Sequence, residues 1–168
     1  MVVPLVLGLF FLSCKKDSFI SSPDALLITS ADSLKFDTVF TSVGSVTRSL
    51  KINNPNGQRL LINSLQLAGG NTSAFTININ GNPVSSITDI SIDAGDSIYV
   101  FVTVNINPNT ANLAFIVRDS VQISYNGNNR FVQLEAFGQN ANFLRNRVIR
   151  GNITWTNQLP YVILAAYR

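Results

Sequence analysis

The chain has one cysteine, Cys14, in the stretch FFLSCKKDSF (residues 10–19), and no histidine to activate it. Without His, a Ser-His-Asp triad, a Cys-His pair and a His-based zinc site are excluded. Glycoside hydrolysis needs two carboxylates facing one sugar. Glu135 is the only glutamate, and it stands in an alternating stretch beside Gln133, where it reads as a solvated strand position. Asp89, Asp93 and Asp96 are near one another in sequence, but they lack the dense oxygen-ligand spacing of a calcium loop. Gly69-Gly70 has no neighbouring Lys-Ser/Thr and reads as a turn, not a phosphate cradle. The sequence therefore predicts no catalytic residue, no metal ligands and no cofactor. The thiol needs a different explanation.

Its surroundings supply one. Residues 1–13, MVVPLVLGLFFLS, carry no charge, and as a helix they would span only about 20 Å, too short for a bilayer core of roughly 30 Å. An N-terminal run of this kind ending in a small residue reads as the apolar region of a secretory signal that is removed; the alternative is a buried N-terminal strand or helix. A lone cysteine makes no internal disulfide, and left free in an oxidising compartment it is a liability that acylation would remove. The run Phe11-Leu12-Ser13-Cys14 resembles the lipobox of bacterial lipoproteins, with Phe11 in place of the usual Leu, bulky Leu12 second, and no Lys or Arg at the extreme N-terminus. Lys15, Lys16 and Asp17 then match the hydrophilic break after the cysteine. The resemblance implies cleavage before Cys14, a diacylglycerol on its sulfur, and residence at the outer membrane or cell surface of a Gram-negative bacterium. Each buried methylene contributes about 0.8 kcal/mol, so two or three acyl chains anchor stably where one does not.

The rest of the chain must be built around that anchor. Of 168 residues only 12% are charged, and Asn, Ser, Thr, Val, Ile and Phe abound, a composition of strands and turns. The net charge is +3, but Arg145, Arg147, Arg150 and Arg168 place +4 in the last segment and leave the body at −1. Nucleic acid is not an expected partner, because its recognition needs a basic patch on the folded body. Period-two alternation predicts half-buried strands. LKFDTVF (34–40) places Leu34, Phe36 and Phe40 on one face, and VTRSLKIN (46–53) sets Val46, Leu50 and Ile52 against Thr47, Ser49 and Lys51. INSLQLA (62–68) and AFTINI (74–79) continue the series. SIYVFVTVNI (97–106) puts Ile98, Val100, Val102, Val104 and Ile106 on one side, with Tyr99, Phe101, Thr103 and Asn105 on the other. VRDSVQISY (117–125) and RFVQLEAFG (130–138) flank Asn126-Gly127-Asn128-Asn129, a hairpin signal. The expected class is all-β: an antiparallel β-sandwich of seven to eight strands.

The order of LKFDTVFTSVGSVTRSLKINNPNGQ, ISIDAGDSIYVFVTVNINP, DSVQISYNG and VQLEAFGQ resembles the immunoglobulin-like domain of the ASH, or Hydin, type. The match runs from residue 30 to 139 through Leu34, Phe36, Val39, Gly44-Ser45, Asn53-Asn54, Phe75, Ala94-Gly95-Asp96-Ser97, Pro108 and Gly138, with Asp37 where the family usually has Gly. The resemblance implies an immunoglobulin-like scaffold or interaction module without a catalytic site. It also implies that Trp155-Thr156 and Pro160-Tyr161-Val162-Ile163 are the entry to a right-handed parallel β-helix, the alternative being a last strand docked on the sandwich.

The division expected is thus a signal peptide (1–13), an acylated tether (14–25), an immunoglobulin-like sandwich (26–139) and a truncated linker or β-helix entry (140–168). Four triplets, Asp32-Ser33-Leu34, Asp37-Thr38-Val39, Asp96-Ser97-Ile98 and Asp119-Ser120-Val121, look like the O-glycosylation acceptor of exported proteins in some Gram-negative bacteria, which would modify Ser33, Thr38, Ser97 and Ser120. Asp-Ser/Thr is also a common entry from a turn into a strand. The function expected is that of a lipid-anchored, non-catalytic envelope scaffold or binding module for carbohydrate or another envelope protein. Its rival is the stalk of a longer β-helix enzyme or adhesin acting on polysaccharide. Exposed aromatics such as Tyr99, Phe101 and Tyr125 either cover the second sheet or stack on sugar rings.

Overall fold

Alternating apolar residues build strands that hide one face each, and burying that face requires a second layer. The computed structural model, which describes residues 18–79, 81–108, 115–145, 148 and 150–164, meets that need with two five-stranded sheets. The first has the order β1-β3-β8-β5-β6, formed by Ile28–Thr29, Arg48–Asn53, Ser97–Val104, Phe75–Ile79 and Asn82–Val84. The second has the order β2-β10-β9-β4-β7, formed by Ser33–Phe40, Asn128–Gln139, Phe115–Tyr125, Leu60–Leu67 and Ser86–Ile92. Ten strands thus stand where seven or eight were expected. The additions are short: β1 has two residues and β6 three, too few to show a period. Within these two sheets all pairings are antiparallel except β2 with β10, which is parallel.

Between the sheets lie Leu50, Ile52, Val100, Val102, Ile77 and Ile79 from the first and Phe36, Leu60, Ile62, Leu65, Ile123 and Leu134 from the second, each buried to 1% exposure or less. A side chain of this size contributes about 1.5–3 kcal/mol on full burial. Two departures from simple alternation have one cause. In β2, Ala136 of β10 faces Phe36 while Phe137 faces Thr38, so Asp37 bulges out of the ladder. The inward face then passes from Leu34 and Phe36 to Val39, not to Phe40, which is half-buried. In β4 a bulge at Asn63 moves the inward set from Leu60 and Ile62 to Leu65 and Leu67. Each extra residue shifts the pleat by one. Val46, expected to face inward, is exposed, because β3 begins only at Arg48.

The β9–β10 hairpin forms as its Asn-Gly predicts. Asn126 (φ 44°) and Gly127 (φ 79°) both take the left-handed backbone of a two-residue turn that matches the strand twist. At the same end of the sandwich, fully buried Asn54 ties together two turns, its own and the one that follows β7. Its Nδ2 donates to the carbonyls of Gln58, Ile92 and Asp93, and its Oδ1 accepts from the backbone N–H and the side-chain amide of Asn56.

Residues 18–25, expected as part of a tether, are laid against this end. Phe19 bridges Arg59 in parallel. Asn126 Nδ2 donates to the carbonyls of Ile20 and Ser22, Asn128 Nδ2 donates to that of Pro23, and Ala25 is buried. At the opposite end, Asn142–Arg145 (β11) pairs in parallel with Tyr161–Leu164 (β12) in a separate two-stranded sheet. The Phe143 ring meets Phe40 edge-on at 6.5 Å. The last strand therefore pairs with β11 and adds to neither sheet of the sandwich. Among the described residues, no helix is long and apolar enough to cross a membrane.

Candidate functional site

Because β8 alternates, burying Val100, Val102 and Val104 forces Tyr99, Phe101 and Thr103 onto the outer face of the first sheet. Tyr99 is 49% and Phe101 43% exposed. Their rings lie 6.4 Å apart and within 17° of parallel. The sequence left open whether these aromatics cover the other sheet or meet solvent; the structure places both on the solvent side. Tyr125 differs, being half-buried and packed on the core.

Register brings the remaining groups. On β3, Ser49 faces Phe101 and Lys51 faces Tyr99. On β5, Asn78 faces Phe101 and Thr76 faces Thr103. The Lys51 ammonium lies 6.0 Å from the centre of the Tyr99 ring, a cation–π distance. Beside Phe101, a shallow hollow of about 410 Å³ is lined by Thr47, Thr76, Asn78, Gly81, Pro83 and Thr103. The result is an aromatic shelf bordered by hydroxyls, amides and one ammonium. None of the five strands of this sheet contains Asp or Glu. Such a surface offers flat apolar area and directional polar groups, the pairing by which ligands are held and oriented. Lys51, Ser49 and Asn78 were missed as partners of the aromatics because alternation reveals which face a residue takes, but not which strands lie side by side.

The other residues singled out in the sequence do not converge. Cys14 lies outside the described residues. Ser33 and Thr38 are exposed on β2, and Ser97 is half-buried at the start of β8. Ser120 is buried on β9, where the folded sheet leaves no room for a bulky glycan. The four hydroxyls occupy three strands and form no cluster. Two of the triplet aspartates hold backbone: Asp96 Oδ1 accepts from Ser97 N–H at 2.7 Å, and Asp119 Oδ1 from Ser120 N–H at 2.7 Å and Gly69 N–H at 2.9 Å. Ser73 also donates to Asp119.

Asp93 is paired with Arg59 at 2.7 Å, and Asp89 stands mid-strand with left-handed backbone (φ 58°). Among the described residues no three acidic, His or Cys side chains gather as metal ligands would. Glu135 is paired with Arg118 across the β9–β10 ladder at 2.8 Å. In the tail, Trp155 and Tyr161 pack edge to face at 4.4 Å, and the Tyr161 hydroxyl accepts from Thr156 N–H at 3.2 Å.

The chain is a β-sandwich of two five-stranded sheets. No protein-family profile and no curated protein matches it. Among solved structures, it is similar to an ASH/PapD-like domain of human CEP192 (PapD-like domain 7), with a TM-score of 0.40 and 11% identity over 83% of this chain and 97% of that one. A protein of unknown function from Porphyromonas gingivalis W83 gives a TM-score of 0.49 and 13% identity over 76% of this chain, which spans 50% of that protein's chain. The N-terminal domain of PorA gives 0.47 and 9%, over 67% of this chain and 97% of that one.

Proposed function

We propose that this protein is a non-catalytic module of a Gram-negative cell envelope, lipid-anchored through Cys14, that binds carbohydrate on the outer face of its first sheet. The observation that carries the reading is the Tyr99–Phe101 pair. Two neighbouring aromatic rings are held nearly parallel and exposed, and they are bordered by Ser49, Asn78 and Thr103. Aromatic faces take the C–H side of a pyranose ring, while hydroxyls and amides meet its oxygens. The test is gel retardation of the full-length chain in a panel of polysaccharides. Wild-type protein is expected to be retarded and Tyr99→Ala/Phe101→Ala to migrate freely; migration unchanged by every polysaccharide would refute carbohydrate binding and favour a protein partner.

The mass of the protein isolated from its own membrane checks the anchor. Acyl chains on a chain beginning at Cys14 support it, and an unmodified thiol refutes it. Hexose-sized increments in the same spectrum, mapped to Ser33, Thr38 or Ser97, support glycosylation of the exposed and half-buried triplets.

The tail favours a second reading. The parallel, in-register pairing of Asn142 with Tyr161 through Arg145 with Leu164 is the pairing that one coil of a parallel β-helix makes with the next. Here the sandwich would be the non-catalytic stalk of a larger polysaccharide-acting enzyme or adhesin. A native mass far above that of the 168-residue chain, accompanied by polysaccharide cleavage, would favour the stalk.

A further inference from the structure

We propose that the ligand of the Tyr99–Phe101 face is an acidic polysaccharide built of uronic acids, with Lys51 receiving its carboxylate; this rests on the carbohydrate reading above. The first argument is the distribution of charge. Strands β1, β3, β5, β6 and β8 contain no acid and two cations, Arg48 and Lys51. Arg48 lies 3.9 Å from Asp37 of the other sheet. Among the described residues Lys51 has no carboxylate partner, and its ammonium is set by register against the ring of Tyr99. A negatively charged ligand meets attraction and no like-charge repulsion from these strands.

The second argument is geometry. A uronate ring stacked on Tyr99 projects its carboxylate roughly in the plane of the sugar. Neighbouring strands are about 4.8 Å apart, so Lys51 on β3 is within reach of that group. Ser49 and Asn78 flank Phe101 on the two adjoining strands and meet the hydroxyls of the next sugar. The third argument is the sparseness of positive charge. Single-stranded nucleic acid and heavily sulfated chains are held by grooves with several cations tracking the backbone. One unpaired ammonium beside two aromatic rings suits a polymer with one carboxylate per sugar.

The experiment is affinity electrophoresis of the full-length chain in gels containing polygalacturonate, its carboxyl-reduced neutral counterpart, heparin or single-stranded DNA. Wild-type protein is expected to bind polygalacturonate roughly fivefold more tightly than the reduced polymer at low salt, the effect of one exposed charge pair. That preference should fade as salt is raised. Lys51→Gln should remove the preference while retaining binding to the neutral polymer, Lys51→Arg should keep it, and Tyr99→Ala/Phe101→Ala should lose both. Circular dichroism on each variant separates lost binding from lost folding. Equal binding to the two galactans, indifferent to Lys51→Gln, overturns the uronate assignment and leaves carbohydrate binding standing. Equal or tighter binding to heparin or DNA overturns it in favour of a general polyanion site. No retention by any polysaccharide overturns both readings.

Discussion

The two sheets share one core and present opposite kinds of outer surface. On the first, two aromatic side chains stand next to each other on one strand, and its strands contain no acid. On the second, Ile116 and Phe137 stand opposite each other across the ladder and Phe131 is also exposed, yet charged groups flank them. The Arg118–Glu135 pair stands beside Ile116 and Phe137, and Arg130 at the sheet margin is paired with Asp32. Small exposed apolar groups among charges are ordinary protein surface, whereas a contiguous aromatic patch with a polar border is the form that binding surfaces take. On the carbohydrate reading, the same fold would carry one face for a ligand and one for water.

The scaffold common to both faces should give the largest effect. Asn54→Ala removes a side chain that makes five hydrogen bonds in a fully buried site. A loss of about 3 kcal/mol is expected, seen as a fall in Tm of roughly 10 °C. If thermal unfolding is unchanged, Asn54 is not what ties the turns. The aromatic shelf comes next. Tyr99→Ala/Phe101→Ala should cost about 2 kcal/mol or more in ligand binding, as buried aromatic contacts do, and less than about 1 kcal/mol in stability, while Phe131→Ala/Phe137→Ala should leave retardation by polysaccharide intact. Equal losses from the two double variants would erase the distinction between the faces.

Gly138→Ala tests the core beneath the second sheet. An added Cβ would lie 2.7 Å from the Phe115 ring and 3.2 Å from Ile106, and overpacking of this kind costs about 1–3 kcal/mol. Denaturant titration should show it as a lowered midpoint at constant slope. The smallest effect belongs to the charge pair of the second sheet. Arg118 is 67% exposed, so a double-mutant cycle on Arg118→Ala and Glu135→Gln should give a coupling of about 0.5 kcal/mol that shrinks in salt.

Much of this was readable from the residues. β8 declared both its faces, since five aliphatics at every second position bury one side and leave Tyr99, Phe101 and Thr103 on the other. Asn126-Gly127 declared the hairpin, because both positions need positive φ. The bulges were hidden: a phase change from Phe36 to Val39, or from Ile62 to Leu65, looks like imperfect alternation until the pairing shows the extra residue at Asp37 and Asn63. The partners of the shelf were hidden for a different reason. Lys51, Ser49 and Asn78 reach the aromatics only through the lateral order β3-β8-β5, which depends on long-range pairing. The segment 18–25 was misjudged because its hydrogen bonds come from Asn126 and Asn128, about a hundred residues away, while its own polarity resembles that of a loose spacer.

That docked segment fixes how the protein would stand. With the lipid on Cys14 as proposed, only four peptide links separate the anchor from Ser18, a leash of at most about 14 Å. The hairpin end would then rest near the headgroups, and β10, twelve residues long, would rise some 40 Å from it to the β11–β12 pair. Such a protein is a short post, not a float on a line. Its aromatic flank would face sideways along the membrane plane, toward polymers lying in the layer just above the lipid, and lengthening the leash would free it to tumble and lose that bearing.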